Sequence, residues 1–327
     1  MSEDLRGYIF SRVAGDMEAI ETALADNLTP YFDKVREIAG HILFTGGKRV
    51  RPLLMVLCAR LCRYDGSDDK RVSVMFEYLH TATLLHDDIV DGAAMRRGSP
   101  AAHVVWDPAS AVLVGDFLLA RSASIAVDTG RIALMKILAD ILEDMSQGEI
   151  HQLARKGNVN LSEAEYRTII LHKTAVLMEG ACRSGAILAG ASDAHARALA
   201  DYGRNLGMAF QMIDDLLDYT ADTQVLGKAV GADLREGKFT LPLIHALGRA
   251  DAGDAETIKR IMGNPDVTDA AFETLKRLLE TYDGIGYTRR CAEAHIQEAR
   301  SALDMFEPSE TRTLLEKLAD YTILRRT

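Results

Sequence analysis

Two short acidic clusters, Asp87-Asp88-Ile89-Val90-Asp91 and Asp214-Asp215-Leu216-Leu217-Asp218, repeat one DDxxD spacing in apolar, helix-forming surroundings. On a helix the first and fifth residues of such a cluster share a face about one turn apart, so each cluster presents two carboxylates in one direction. Acidic residues at this spacing ordinarily form a solvated face. Here Thr81-Ala82-Thr83-Leu84-Leu85-His86 leads into the first cluster and Gly207-Met208-Ala209-Phe210-Gln211-Met212-Ile213 into the second, and both read as buried helices. Buried carboxylates without counter-cations are costly, and repulsion within each cluster adds to the cost. A bound divalent ion relieves both. Mg²⁺ suits the donor set, because it takes oxygen ligands, retains several waters and commonly joins a carboxylate to a substrate phosphate.

Three basic motifs complement the acids. Phe44-Thr45-Gly46-Gly47-Lys48-Arg49-Val50-Arg51-Pro52 places two glycines and three cations before a helix expected to start at Pro52. A helix N-terminus with free N–H groups beside Lys and Arg is a natural diphosphate receptor, although a solvated basic turn has the same composition. Arg96-Arg97-Gly98 follows the first acidic cluster after a short loop, and Gly227-Lys228 through Asp233-Leu234-Arg235-Glu236-Gly237-Lys238 follows the second. Carboxylates for a metal and cations for phosphate oxygens are two halves of one site, and the apolar helices around them imply an oily diphosphate as substrate.

The elements that must position these groups are helices. Apolar residues recur at three- and four-residue spacing over Met17 to Leu28, Pro30 to Leu43, Pro52 to Leu61, Arg71 to Val90, Ala109 to Val127, Ile132 to Leu153, Ser162 to Ala189 and Ala194 to Tyr219. The pattern continues over Leu241 to Leu247, Ala255 to Met262 and the stretches after Asp269 and Pro308. Ser162, with Glu163 and Glu165 behind it, reads as a helix cap. Strand-like alternation is scarce. The predicted fold is all-α, a single large helical bundle around a central apolar cavity, with residues 1–327 forming one domain. At 327 residues and 48% hydrophobic the chain can bury a large core, and its seven prolines do not gather into a linker.

A net charge of −10 argues against generic nucleic-acid binding. The four cysteines, Cys58, Cys62, Cys182 and Cys291, are too scattered for a disulfide framework and read as core thiols. The N-terminus lacks the blocks of a signal peptide, no run approaches the roughly 20 apolar residues of a membrane span, and the expected location is the cytoplasm.

With these residues in order, the sequence resembles the trans-polyprenyl diphosphate synthases from Gly46 through Pro242. The two DDxxD clusters look like that family's first and second aspartate-rich motifs. The likeness extends to Gly46-Gly47-Lys48-Arg49-Val50-Arg51-Pro52, His80 through His86, Met95-Arg96-Arg97-Gly98, Gly148-Glu149, Lys173-Thr174-Ala175, Phe210-Gln211 and Gly237-Lys238-Phe239-Thr240-Leu241-Pro242. The resemblance implies that Asp87, Asp88, Asp91 and Asp214, supported by Asp218, hold a cluster of about three Mg²⁺ ions on the diphosphate of an allylic substrate such as farnesyl or geranylgeranyl diphosphate. Arg96, Lys173, Lys228 and Lys238 complete the cage in that reading. Lys48, Arg51, His80 and Arg97 form the pocket for isopentenyl diphosphate, and Thr174 and Gln211 stabilise the cationic carbon chain. The implied reaction ionises the allylic C–O bond, adds the isopentenyl double bond to the resulting cation and passes a proton to the released diphosphate. A homodimer is implied too, with the apolar helix Ala109 to Val127 as candidate interface.

Product length turns on the residues upstream of Asp87. Ala82 and Thr83 are small where short-product members of the family often carry an aromatic floor, so the upper tunnel reads as open. Leu79, Tyr78, Phe76, Met75, Phe117 and Leu118 are deeper candidates for its end. The motif pattern also looks like the octaprenyl and related synthases, which implies all-trans products of about forty to fifty carbons of the kind used for quinone side chains. A shorter product, geranylgeranyl or farnesyl diphosphate, and a catalytically silent partner subunit are the alternatives.

Other readings leave more unexplained. His86-Asp87 could be the HD pair of a metal-dependent phosphohydrolase, but that ignores the second cluster, and terpene cyclases normally carry Asn, Ser or Thr with Glu there. His86 itself is expected to be an oriented hydrogen-bonding residue of the core and not a ligand. Arg325-Arg326 resembles a basic tail that closes over the isopentenyl pocket in some relatives; a frayed basic terminus has the same sequence.

Overall fold

A computed structural model describes residues 2–220, 231–264 and 267–324. In chain order the helices are α1 (Ser2–Asn27), α2 (Asp33–Leu43), α3 (Val50–Leu61), α4 (Asp69–Val90), α5 (Ala102–Val105), α6 (Pro108–Asp128), α7 (Ile132–Arg155), α8 (Glu163–Ile170), α9 (Val176–Leu188) and α10 (Asp193–Thr220). They continue with α11 (Ala232–Arg235), α12 (Leu241–Arg249), α13 (Ala252–Met262), α14 (Asp269–Thr281), α15 (Gly284–Ala302) and α16 (Glu310–Leu324). The architecture is all-α, as the periodicity predicts. Among the described residues the only strands are the two-residue pair β1 (Met95–Arg96) and β2 (Ser99–Pro100), antiparallel with Arg96 opposite Ser99.

Local chemistry sets the boundaries. Asp107 caps α6 by accepting from Ser110 N at 2.7 Å, with Pro108 at the first helical position. Ser162 and Glu165 form a reciprocal capping box at the start of α8. Helix α3 begins at Val50, two residues before the expected Pro52. The prolyl ring is accommodated because the first turn has no intrahelical acceptor for its missing N–H.

Helices α4, α6, α9 and α10 form the packed heart, with α3 against α9 and α15 against α10. The core runs from Ile9 in α1 to Ala319 in α16. Two close approaches position the later site. A Cβ on Gly203 would lie 2.5 Å from Met178 O, and one on Gly207 would lie 2.5 Å from Ala175 Cα, so α10 rests on the backbone beneath it without intervening side chains.

One sequence expectation changes here. Helix α6 is long and apolar enough to cross a membrane by length and composition, although no such run was expected. In this fold it packs along α4 and α7.

Candidate active site

The first acidic cluster closes α4. Asp87 and Asp91 lie one turn apart at the helix end, and Asp91 is the C-cap residue. Burial pushes the Asp87 carboxyl up to about 6, with Glu149 and Asp91 adding to the rise and Lys173 and Arg96 opposing it. Asp88 points elsewhere. It is 1% exposed, its Oδ1 accepts from Arg96 Nε at 2.8 Å and from Arg96 Nη2, and its Oδ2 is buried with no hydrogen-bond partner. The hairpin after α4 arranges this pairing. Arg97 and Gly98 form its two-residue loop with φ of +50° and +79°, the left-handed pair of a type I′ turn. The turn carries Arg96 back to Asp88 and Arg97 across to Gly46, whose carbonyl accepts from Arg97 Nη1.

The second cluster lies near the end of α10. Asp214 lines the main cavity. Asp218 Oδ2 accepts from Asp233 N at 3.1 Å, tying the cluster to the start of α11. Asp215 is 4% exposed and is bound within the protein, accepting from Tyr166 Oη–H at 2.6 Å and from Gln211 Nε2 at 2.7 Å. Burial pushes its carboxyl up to about 7 against those two hydrogen bonds. Between the clusters, Lys238 Nζ lies 3.9 Å from Asp91 Oδ2 and 2.5 Å from Glu236 Oε2, and Lys156 Nζ lies 3.9 Å from Asp91 Oδ1. Burial works against the Lys238 ammonium, but Asp233, Glu236 and Asp91 outweigh it and hold its pKa above the ordinary lysine value.

Lys173 and Thr174 sit in a π-helical turn, Leu171–Ala175, inserted between α8 and α9. Such a turn adds one residue to the helical repeat and is characteristic of functional positions. Lys173 Nζ meets Glu149 Oε2 at 2.5 Å, and Glu149 Oε1 is buried without a partner. Gly148 allows this approach, since a Cβ there would fall 2.9 Å from His172 Cβ and 3.1 Å from Lys173 N. Thr174 Oγ1 donates to Gln211 Oε1 at 2.9 Å.

Facing the acids is a cationic pocket. Lys48, Arg51, His80, Arg96 and Arg97 line the same cavity as Asp87 and Asp214. Arg51 Nε is buried with no partner, an unmet donor that an anion would satisfy. Burial and the charges of Arg51, Arg97, Arg96 and Arg49 hold the His80 imidazole well below its ordinary pKa, so it is neutral. Arg49, between Lys48 and Arg51 in sequence, does a different job. It is 3% exposed and spans Glu21 at 2.7 Å and Glu77 at 2.8 Å, pinning α3 to α1 and α4.

The cavity measures about 1010 Å³, and its apolar wall includes Leu119, Leu142, Met145, Leu177, Met178 and Phe210. A smaller cavity of about 110 Å³ adjoins it at Lys173, Thr174 and Gln211 and extends to Tyr166, Asp233 and Lys238.

Most of the residues singled out in the sequence therefore surround one space, with exceptions. Thr83 lines the cavity, whereas Leu79, Phe76 and Met75 are fully buried in packed core and do not. Tyr78 is no floor, because its hydroxyl donates to Leu24 O at 2.6 Å and commits the ring to α1. On α6 the wall is Leu119 and not Phe117 or Leu118. His86 Nε2 lies 3.1 Å from Val112 O and 3.6 Å from Asp116 Oδ1, the expected hydrogen-bonding role, in a half-exposed position and not a core one. Lys228 and Arg325-Arg326 lie outside the described residues. Sequence reasoning gave no role to Tyr166, Lys156 or Glu149. Asp233 lies within the Gly227 to Lys238 motif, in which the sequence assigns a role only to the lysines.

Among the described residues no three carboxylate, imidazole or thiol side chains converge into a ready metal cage. The donor chemistry nonetheless fits a hard cation: all-oxygen clusters on α4 and α10, the half-buried Asp87 carboxyl with its pKa raised to about 6, and two buried carboxylate oxygens without a partner, Asp88 Oδ2 and Glu149 Oε1. Ligands that complete the shell then come from substrate oxygens and water.

The comparisons with known proteins agree with this geometry. The model of the polyprenyl synthetase family matches residues 32–279. An octaprenyl diphosphate synthase of Haemophilus influenzae is 38% identical over 310 residues, spanning 95% of this chain and 94% of its own. A polyprenyl synthase from Caulobacter crescentus CB15, solved in complex with calcium and isoprenyl diphosphate, superposes with a TM-score of 0.92 at 40% identity over 98% of this chain and 97% of that one. A decaprenyl diphosphate synthase from Rhodobacter capsulatus superposes with a TM-score of 0.91 at 37% identity, over 98% and 99% of the two chains.

Proposed function

The chain belongs to the polyprenyl synthetase family and is a prenyltransferase, and from that premise we propose that it condenses isopentenyl diphosphate repeatedly onto an allylic diphosphate, farnesyl or geranylgeranyl, to give an all-trans product of about forty to fifty carbons. The observation that carries the reading is the single cavity that Asp87 and Asp214 share with Lys48, Arg51 and Arg97, above an apolar wall.

Asp87, Asp91 and Asp214, with Asp88 and Asp218 behind them, would hold Mg²⁺. Bound there, the ions supply charge neutralisation for a diphosphate leaving group. Lys173, Lys238 and Arg96 bind the allylic diphosphate from the remaining sides. Lys48, Arg51 and Arg97 bind the isopentenyl diphosphate, and neutral His80 offers a ring nitrogen without adding charge to a pocket already crowded with cations. Holding the two substrates across one cavity removes most of the entropic barrier to their meeting. The paired oxygens of Thr174 and Gln211 would stabilise the positive charge that develops as the C–O bond ionises. The isopentenyl double bond then attacks the allylic carbon, and the released diphosphate takes the proton that leaves. No protein nucleophile is required.

The product runs along the apolar wall past Thr83, which leaves the upper tunnel open. That opening and the octaprenyl and decaprenyl synthases among the relatives favour a long chain, suited to a quinone side chain made in the cytoplasm. The homodimer forms on the face made by α5 and α6, where Val104, Val105, Leu113 and Val127 are exposed.

The test is a product assay with purified protein, Mg²⁺, labelled isopentenyl diphosphate and farnesyl diphosphate, with chain lengths resolved after dephosphorylation. A ladder ending near forty to fifty carbons supports the reading. Termination at twenty moves the tunnel floor upward, and no metal-dependent elongation with any allylic primer identifies a silent subunit.

A further inference from the structure

We propose that Tyr166 and Asp215 are positioning residues that fix the polarity of the Thr174–Gln211 pair, turning its oxygens toward the carbon that becomes cationic. The proposal deepens the function proposed above and rests on it.

The argument is one of donor and acceptor bookkeeping along a four-residue chain. Tyr166, on α8, is 3% exposed, and its O–H donates to Asp215 Oδ2 at 2.6 Å. The other carboxylate oxygen, Oδ1, is met by Gln211 Nε2 at 2.7 Å. With the Tyr166 hydroxyl on Oδ2, Oδ1 is left as the acceptor, so Gln211 offers its NH₂ group to Asp215 and its carbonyl is thereby turned the other way. That carbonyl accepts from Thr174 Oγ1 at 2.9 Å. Thr174 has then committed its one proton and keeps only lone pairs for any further neighbour. Every bond in the sequence Tyr166, Asp215, Gln211, Thr174 is fixed in direction by the carboxylate. Thr174 and Gln211 both line the main cavity beside Lys173, so the exposed ends of the chain are acceptors.

This assigns different tasks to adjacent residues of the second acidic cluster. Asp214 lines the main cavity, while Asp215 borders the smaller adjoining one with one oxygen engaged by Tyr166 and the other by Gln211. Without the carboxylate, the Gln211 amide is free to rotate by a half turn and present NH₂ to the developing cation, converting an attractive dipole into a repulsive one.

The test uses Tyr166→Phe, which preserves net charge and ring packing, and Asp215→Asn, whose single amide oxygen cannot accept from Tyr166 and Gln211 through separate atoms as the carboxylate does. Two diphosphates are titrated by calorimetry with Mg²⁺ present: an allylic analogue with an ammonium nitrogen at the reacting position, and a thiolodiphosphate of the same length with no cationic centre. The wild-type protein should bind the ammonium analogue more tightly. Tyr166→Phe should weaken that analogue about threefold and Asp215→Asn at least tenfold, with the thiolodiphosphate and the Mg²⁺ half-saturation unchanged within twofold. In turnover, kcat should fall by similar factors while KM for isopentenyl diphosphate stays constant. Equal weakening of both analogues would mean a packing role, and a raised Mg²⁺ requirement in Asp215→Asn would mean a metal ligand; either outcome overturns the proposal, as does wild-type behaviour of both variants. If the wild-type protein neither elongates nor prefers the ammonium analogue, it is the proposed function that fails.

Discussion

Arg96 holds Asp88 through Nε at 2.8 Å and through Nη2, both on one carboxylate oxygen, while the other oxygen remains buried without a partner. The guanidinium thus compensates a carboxylate that is 1% exposed and stays available to a phosphate on its other edge. Arg96→Ala should leave that charge buried and uncompensated. We expect a loss of about 3 kcal/mol in urea unfolding without Mg²⁺, partly regained on adding Mg²⁺ with inorganic diphosphate. Arg96→Lys should recover little of it, because an ammonium cannot reproduce the forked geometry. Stability equal to wild type in Arg96→Ala would show that the pair carries no structural weight.

Gly207 is the second expectation. A Cβ there would lie 2.5 Å from Ala175 Cα and 2.9 Å from Ala175 Cβ, and backbone does not yield as a flexible side chain does. Gly207→Ala should push α10 away from the π-helical turn and part Gln211 from Thr174, four residues and one residue along the chain from the clash. The expected cost is about 1–3 kcal/mol, with a larger proportional loss in kcat than in substrate affinity. Gly248→Ala, at a position with nothing within 4 Å, is the control and should change neither.

These residues mark the limit of what the sequence discloses. The helices and the capping box at Ser162 follow from periodicity and residue type at fixed spacing, and the convergence of Asp87, Asp214, Lys48, Arg51 and Lys173 on one space follows from the resemblance that their motifs carry. The direction of Asp215 does not. The same DDxxD places Asp214 on the cavity and Asp215 toward Tyr166, and only the rotation of α10 about its axis, set by Gly203 and Gly207, decides which carboxylate faces which way. Tyr166 carries no motif, and its partner is 49 residues away. The α6 wall is hidden in the sequence for the same reason: Phe117, Leu118 and Leu119 are all large and apolar, and only the packing of α6 on α4 selects Leu119.

His80 should make stability depend on pH. Its folded-state pKa lies well below the usual imidazole value, first because of burial and then because of Arg51, Arg97, Arg96 and Arg49. Below about pH 6.5 the unfolded chain binds a proton there that the folded protein refuses, so stability rises with pH across that window and is lost as pH falls through it. The slope from this one group is about 1.4 kcal/mol per pH unit. Denaturant titrations between pH 6.5 and 5 should give a shallower slope for His80→Gln by one proton. Parallel slopes would show that the imidazole titrates normally in the folded protein.

The tunnel gives the most direct control over product. Thr83 lines the cavity, and its hydroxyl donates to His80 O at 2.8 Å, so its methyl is what meets a growing chain. Thr83→Phe adds an aromatic ring to the wall one turn before Asp87 and should stop elongation early, shifting the distribution toward about twenty carbons or fewer. First-condensation kinetics should change little, because the ring lies below the reacting carbon and not beside it. Met145 lines the same wall from α7, and Met145→Ala removes a flexible apolar side chain from it. It should leave the Thr83→Phe product short, since the block lies above it, and lengthen the wild-type product only if α7 forms the floor. Chromatography of the four proteins' products therefore orders the two residues along the tunnel. A long product from Thr83→Phe would mean that the chain leaves the cavity by another wall.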